Sequence, residues 1–357
     1  IYSDMGKRIV FLDYMRVIAC FMVIMVHSCE FFFIDGANIG IRTPGDGFWV
    51  SVIDSAFRCS VPLFVIISAY LLVPISGAVS EFFKKRFVRV LVPFIVWSVL
   101  YATLPALWGA MDSADVVASL MRLAYNFNDA SGHMWFIYML IGLYLFMPVI
   151  SPWLEKAGKR AEQLFLCLWF ASSFFPYMRV FVGNVYGECY WNEFNLLWYF
   201  SGFLGYVVLA HYVRNYLKLS RKAQIYIGLF LYAVGYMVTA TIWYGRVPTA
   251  LTLQELELSW RFCTPNVIFE SVGAFMVIQS LFAEVKKGNK LIGEISNLSY
   301  GVYLMHIFIL GAVFSVVQPM AIGTPLTIIS TGAITFVICC ILSKLISLLP
   351  YSKYIIG

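Results

Sequence analysis

The sequence predicts an all-α, polytopic integral membrane protein with about ten transmembrane helices. Of the 357 residues, 61% are hydrophobic and only 12% are charged, whereas soluble domains carry about a quarter charged residues. Apolar runs long enough to cross a bilayer recur along the whole chain, and many Trp and Tyr lie near their ends, as at membrane interfaces. The net charge of +6 is spread over short loops and does not indicate nucleic-acid binding.

Ten apolar segments are the expected spans. The second contains Arg58 and Pro62, so a kink or a break is expected there. The connecting loops are short, and the chain is expected to form a single transmembrane domain, 1–357. In order, the spans are 9–33, 49–75, 90–110, 133–153, 162–179, 194–213, 223–244, 265–284, 299–318 and 325–349.

The distribution of basic residues predicts the orientation. Loops on one side of the ten spans carry seventeen Lys and Arg residues, and those on the other side carry five. Because cytoplasmic loops are enriched in positive charge, both termini should be cytoplasmic. The loop 111–132 should then lie outside with a short surface helix around Ala114–Tyr125, and so should the polar loop 245–263, which contains Glu255 and Glu257.

The eight cysteines show no metal-ligand spacing. Most lie in or beside apolar segments and are interpreted as small buried hydrophobic residues. Cys189 and Cys263 fall on the same predicted side, so a disulfide and two free thiols are both open. The sequence contains no zinc-type His/Cys cluster, Gly-rich nucleotide loop or Gly-x-Ser-x-Gly turn, and no metal is expected.

The first span carries an arginine and a histidine on one face. Arg16 and His27 are eleven residues apart, and at ~100° per residue they project in nearly the same direction. Along the helix axis they are ~16 Å apart, with Arg16 towards the cytoplasm and His27 towards the outer face. Charged groups inside membrane spans are usually functional or paired with a buried group. Glu30 either orients the His27 ring or, in the preferred interpretation, faces water as an interfacial carboxylate.

Two further arginine clusters follow. Arg58 lies four residues before Pro62 and ten before Ser68. This pattern indicates either a broken helix whose backbone lines a cavity, or a simple kink with Arg58 reaching the outer interface. Arg86 and Arg89 share a face at the cytoplasmic entrance of the third span. They fit either phosphate binding by guanidinium forks or contact with anionic lipids.

The remaining histidines of interest lie in aromatic-rich stretches. His133 and Trp135 stand at the outer end of the fourth span. His306 is expected within the inner half of the ninth span, where a lone histidine more often has a structural role.

Together these clusters resemble the acyltransferase-3 family of bacterial integral-membrane O-acyltransferases over nearly the whole chain. One departure is Ala69, which stands where the family has glycine. The pattern looks most like the compact family members without an added soluble domain, and among those it is similar to the enterobacterial-common-antigen O-acetyltransferase type. Five family motifs match in order, at Arg16 and His27, at Arg58 to Ser68, at Arg86 and Arg89, at His133 to Phe136, and at Ser299 to His306.

The resemblance implies an activity and its setting. The family moves an acyl group, most often acetyl, from cytoplasmic acyl-CoA to a hydroxyl of a cell-envelope glycan or lipid-linked sugar. Acetyl-CoA would be the donor substrate, without a metal. The protein would be a multi-pass protein of the bacterial inner membrane, in contact with lipids and not with nucleic acid.

The resemblance and the residue chemistry together suggest roles. His27 would act as the general base or as a transient acyl carrier, since an imidazole titrates near working pH. Arg16 would anchor the donor or stabilise developing negative charge. The donor phosphates would be held by Arg86, Arg89 and Arg16, and the acceptor by Arg58, Ser68, His133 and Trp135.

A transporter is the alternative. Ten helices with buried Arg and His also suit a proton-coupled carrier or flippase of a small acyl or glycan-linked solute. The sequence shows no matched pair of broken helices in its two halves, which disfavours this interpretation. Chemistry separates the two, because an enzyme consumes acyl-CoA and leaves an ester whereas a carrier only moves material.

Overall fold

The computed structural model describes residues 8–109, 111–285 and 287–357. Lys7 and Lys286, two of the basic residues used for the expected orientation, lie outside these ranges. The fold is almost entirely helical, with one small antiparallel hairpin that pairs Ile34 with Ile39. Its elements are α1 (Val10–Cys29), β1 (Ile34–Asp35), β2 (Asn38–Ile39), α2 (Pro44–Ser55), α3 (Ser60–Leu72), α4 (Val79–Thr103), α5 (Ser113–Arg122), α6 (Trp135–Lys156), α7 (Gly158–Ser172), α8 (Phe175–Val182), α9 (Leu204–Tyr216), α10 (Arg221–Arg246), α11 (Leu253–Leu256), α12 (Pro265–Phe282), α13 (Lys290–Val317) and α14 (Thr324–Ser347).

Nine segments of the described chain are long and apolar enough to cross a membrane, which confirms the polytopic all-α class. They coincide with nine of the ten expected spans. The expected span 194–213 is different, because the α-helix there begins only at Leu204 and α9 has 13 residues, a length of ~20 Å. The preceding residues form turns and a short 3-10 helix at Trp198–Phe200, with a positive φ at Asn195 and at Gly202, so the apolar side chains before Leu204 do not extend α9.

Both ends of the described chain lie at one end of the bundle, which we call the basic end. Arg8 lines a cavity together with Arg86 and Arg89, and Gly357 lines a neighbouring cavity with the same two arginines. Termini on one side require an even number of crossings, so α9 serves as a tenth, short passage. Its Arg214 Nη1 donates a hydrogen bond of 2.8 Å to a carbonyl near the end of α3. That the basic end faces the cytoplasm stays a prediction.

Helix α1 is the centre of the bundle. It packs against α3, α12, α13 and α14, and Met15 and Ala19 on it are fully buried. Helices α10 and α14 instead turn large apolar side chains outward, as lipid-facing helices do. The face of α1 that carries Arg16 and His27 is therefore inside the protein.

The second span is broken, which is one of the two arrangements that the sequence left open. Helix α2 ends at Ser55, a turn follows, and α3 begins at Ser60. Pro62 lies in the first turn of α3, where a missing N–H costs nothing, so the proline starts a new helix after the break. Arg58 lies in the turn between the two helices.

Helices α10 and α12 approach closely through glycines. A Cβ at Gly235 would come within 2.5 Å of the Asn266 carbonyl oxygen, and one at Gly273 within 2.5 Å of the Gly228 carbonyl oxygen. Small residues allow helix backbones to meet closely inside a membrane. This close contact with α10 sets the position of α12, which in turn packs against α1.

Two smaller expectations have outcomes here. The short helix expected around Ala114–Tyr125 is confirmed, since α5 covers Ser113–Arg122, and its outer location stays a prediction. Cys189 and Cys263 are free thiols and are not joined to each other.

Candidate functional site

Two cavities lie along the buried face of α1. The larger, about 510 Å³, is the arginine cavity at the basic end, lined by Arg16, Arg86 and Arg89 among others. The smaller, about 180 Å³, is the histidine cavity, lined by His27, with His133. The spacing of Arg16 and His27 along one helix therefore places one residue in each cavity.

The arginine cavity has a strong positive charge. Four arginines line it, from the segment before α1, from α1 itself and from α4, and Asp13 is the acidic residue among its lining. Asp13 accepts hydrogen bonds from Arg8 (2.5 and 3.1 Å) and from Ser296 Oγ (2.7 Å), which in turn accepts one from Arg16 Nη1 (3.0 Å). The Nε of Arg86 is buried without a hydrogen-bond partner among the described residues. One carboxylate cannot neutralise four guanidinium groups, so the cavity is suited to a polyanion.

In the histidine cavity, His27 is oriented by Glu30. The Nδ1 of His27 lies 2.8 Å from Glu30 Oε1, and Glu30 is 37% exposed. An ionised carboxylate only accepts hydrogen bonds, so Nδ1 is assigned as the donor, and in the neutral ring Nε2 then keeps a free lone pair. Glu30 therefore contacts the His27 ring, as one of the two interpretations expected, while its side chain also stays partly exposed to solvent, as the other expected. The i, i+3 spacing on a helix end explains this contact.

Three of the four histidines meet at this point. Ring centroids are 5.1 Å apart for His27 and His306, 6.3 Å for His27 and His133, and 4.9 Å for His133 and His306. Both ring nitrogens of His133, and Nε2 of His306, are buried without a partner in the described structure. Unpaired buried donors and acceptors are costly, so this cluster is set up to receive a polar group.

His306 does not lie in the inner half of its span. Helix α13 begins at Lys290, where Asn289 caps its first turn, nine residues before the expected start. The earlier start moves His306 past the middle of the helix, to the level of His27. Sequence reasoning missed the contact between His306 and His27, because it depends on the residue at which α13 begins.

Arg58 belongs to a buried polar group beside His27. It forms an ion pair with Asp54, which is fully buried, and its guanidinium lies 3.9 Å from the ring centroid of Trp260. Trp260 is held by a 2.9 Å hydrogen bond from Nε1 to Ser55 Oγ. Asp54 and Arg58 are spaced i, i+4, and this spacing is the sequence signal for the pair.

A second carboxylate, Glu257, reaches the same cavity from the loop between α11 and α12. Burial raises the pKa of Glu257, and the Arg58 guanidinium partly opposes this. The outer loop was expected to be polar enough to meet a substrate, and it contributes this residue. Phe262 from the same loop stacks on Trp135, with ring centroids 5.4 Å apart and an interplanar angle of 21°.

The structure separates some residues that the sequence analysis grouped. Arg58, His133 and Trp135 all line the histidine cavity. Ser68 instead lines the arginine cavity, because it lies two turns further along α3 towards the basic end. Arg16 meets Arg86 and Arg89 and does not share a cavity with His27.

Comparison with known proteins accounts for this arrangement. The family model described as an acyltransferase domain, acyltransferase-3, matches residues 9–344, nearly the whole chain. The chain belongs to the acyltransferase-3 family. As a family member with nine long apolar helices in its described part, it is a membrane-bound, multi-pass acyltransferase.

A curated relative supports the same assignment of this acyltransferase-3 protein. The chain is similar to the Bacillus subtilis (strain 168) protein named "Putative membrane-bound acyltransferase YfiQ". The two are 23% identical over 283 residues, which cover 74% of this chain and 72% of that protein. No solved structure matches the chain.

Proposed function

We propose that this membrane acyltransferase transfers an acetyl group from cytoplasmic acetyl-CoA to a hydroxyl of a cell-envelope glycan or lipid-linked sugar, in the bacterial inner membrane. The observation that carries the proposal is the pairing of His27 with Glu30 in a cavity that adjoins an arginine-lined cavity. One cavity offers cations for a phosphorylated donor, and the other offers a base for a hydroxyl.

The donor would bind at the basic end. Coenzyme A carries several phosphates, and Arg16, Arg86 and Arg89 provide guanidinium forks that suit phosphate oxygens. The unpartnered Nε of Arg86 is a donor awaiting such an acceptor. From there, the long pantetheine arm would follow the α1 face towards His27, about 16 Å along the axis.

His27 would act as the general base through Nε2. It takes the proton of the acceptor hydroxyl as that oxygen attacks the thioester carbonyl carbon. A C–O bond forms, the C–S bond breaks, and the imidazolium returns the proton to the departing thiolate. Glu30 stabilises the imidazolium by accepting the Nδ1 proton in a hydrogen bond. Because Arg16 lies in the other cavity, we assign it to anchoring the donor and not to the reacting carbonyl.

The acceptor would occupy the histidine cavity. Arg58 and His133 offer polar contacts there, and the indole of Trp135 offers a flat apolar surface of the kind that packs against the C–H face of a sugar ring. The unpaired nitrogens of His133 support this role, because a sugar hydroxyl can satisfy either of them. Ser68, on the arginine cavity, is assigned to the donor side.

Labelled acetyl-CoA tests the proposal. Membranes containing the full-length protein should incorporate labelled acetyl into a glycan fraction as a base-labile ester, and membranes with His27→Ala should not. The two proteins should be present in equal amounts. A carrier would move material without forming an ester, so absence of ester from the wild-type protein would contradict the proposal and favour transport.

A further inference from the structure

The arginine and histidine cavities meet at three aromatic side chains. Phe64 from α3, Phe136 from α6 and Tyr303 from α13 line both cavities, and no other residue of the described structure lines both. Ring centroids are 6.2 Å apart for Phe64 and Phe136 and 5.6 Å for Phe136 and Tyr303. We call these three side chains the aromatic partition.

Two members of the partition are held in place. Tyr303 donates a hydrogen bond of 2.5 Å from Oη to the His133 carbonyl oxygen, and its ring stacks on Tyr300. Phe136 is buried between its two partners. Phe64 is half-buried, and within the described chain its one ring contact is Phe136. Phe64 is therefore the side chain of the partition that is most free to change its rotamer.

We propose that the aromatic partition selects the acyl group by size and admits only short chains to His27. The inference rests on the proposed function, because it takes the donor to bind in the arginine cavity. The thioester then has to pass Phe64 before it can come within reach of Nε2.

The space beyond the partition also limits the acyl chain. The histidine cavity holds about 180 Å³, below the ~300–1,000 Å³ of pockets that bury a drug-sized ligand. Its apolar wall, which includes Val23, Val26 and Val61, can take a methyl group. The rest of its lining carries Arg58 and Glu257, and a longer alkyl chain would desolvate these charges. Each methylene beyond acetyl occupies space that the acceptor sugar needs, so a butyryl group leaves less room for the acceptor hydroxyl than an acetyl group does.

Acyl-CoAs of increasing length test this selection. Membranes with the full-length protein would receive labelled acetyl-, propionyl- or butyryl-CoA, and base-labile label in the glycan would be measured. One excess methylene at a size limit costs roughly 10- to 200-fold in kcat/KM. We therefore expect wild-type transfer to fall at least tenfold from acetyl to butyryl. Phe64→Ala should raise the butyryl-to-acetyl ratio at least tenfold, and Phe64→Trp should reduce acetyl transfer.

A matched control separates size selection from loss of packing. Phe170 is also half-buried, stacks on Phe269 and lines neither cavity, so Phe170→Ala should keep the wild-type ratio. If Phe64→Ala is not recovered in membranes, Phe64→Leu serves in its place. Equal wild-type transfer of acetyl and butyryl, or an unchanged ratio in an active Phe64 variant, overturns the partition alone. Failure of every acyl-CoA with the wild-type protein overturns the proposed function as well.

Discussion

Replacing Glu30 with glutamine tests whether the carboxylate next to His27 contributes to catalysis. The side chain keeps its shape, but its negative charge is lost and the amide can donate to Nδ1, which allows the wrong tautomer of His27. Hydrogen bonds to charged groups contribute about 1.5–3 kcal/mol. If that energy is realised on the imidazolium in the transition state, kcat should fall roughly 10- to 150-fold. Because Glu30 is 37% exposed, we expect the lower part of this range.

The assay is release of free thiol from acetyl-CoA by purified protein in nanodiscs. Glu294→Gln is the matched control, because Glu294 forms an exposed ion pair with Lys344 at the surface, and it should keep wild-type kcat. A KM for acetyl-CoA that stays within about threefold would assign the loss to the chemical step. Wild-type kcat in Glu30→Gln would refute the orienting role of the carboxylate.

Three further substitutions probe the donor site and the fold. Arg86→Ala should raise KM for acetyl-CoA about 10- to 100-fold in steady-state kinetics while kcat stays within about threefold, because a cation for phosphate is lost. Asp54→Asn leaves Arg58 buried without its counter-charge and should destabilise the protein by about 3–5 kcal/mol, measured as a lower thermal midpoint in detergent. Gly205→Ala should cost about 1–3 kcal/mol in the same measurement, because its Cβ would come 2.0 Å from the Trp169 ring.

Matched variants make these three results specific. Arg160→Ala removes an exposed arginine that lines neither the arginine cavity nor the histidine cavity, and the KM for acetyl-CoA should not change. Asp35→Asn is the control for Asp54→Asn, because it alters an exposed carboxylate. Gly142→Ala is the control for Gly205→Ala, because its added Cβ would have nothing within 4 Å. Both controls should keep the wild-type thermal midpoint. A KM for Arg86→Ala equal to that of Arg160→Ala would contradict the donor site. If Asp54→Asn and Gly205→Ala have the same thermal midpoints as their controls, the buried ion pair and the close contact of Gly205 with Trp169 do not stabilise the fold as argued.

Helical periodicity alone predicted the most useful geometry of the site. The spacing of eleven residues from Arg16 to His27 placed both on one buried face, and the structure confirms it. A kink or a break near Arg58 also followed from a local rule, the conflict between Pro62 and a continuous helix, and the structure shows the break. Such features depend on neighbours in sequence, so a sequence can indicate them.

Features that depend on packing between distant segments were beyond the sequence. The meeting of His27, His133 and His306 requires three helices to be placed against one another. Ser68 and Arg58 line different cavities, and this depends on where each cavity ends in the packed structure. The short α9 was overestimated because aromatic residues before Leu204 have the hydropathy of a span, while the backbone there turns.

The central claim is that His27 activates a hydroxyl towards a thioester, and release of free thiol from acetyl-CoA tests it most directly. Wild-type protein and His27→Ala, purified in nanodiscs and matched in thermal stability, would be compared with and without a membrane glycan extract. The account predicts thiol release by the wild-type protein and a loss of at least about 100-fold in the variant. Equal release by the two proteins would contradict the claim.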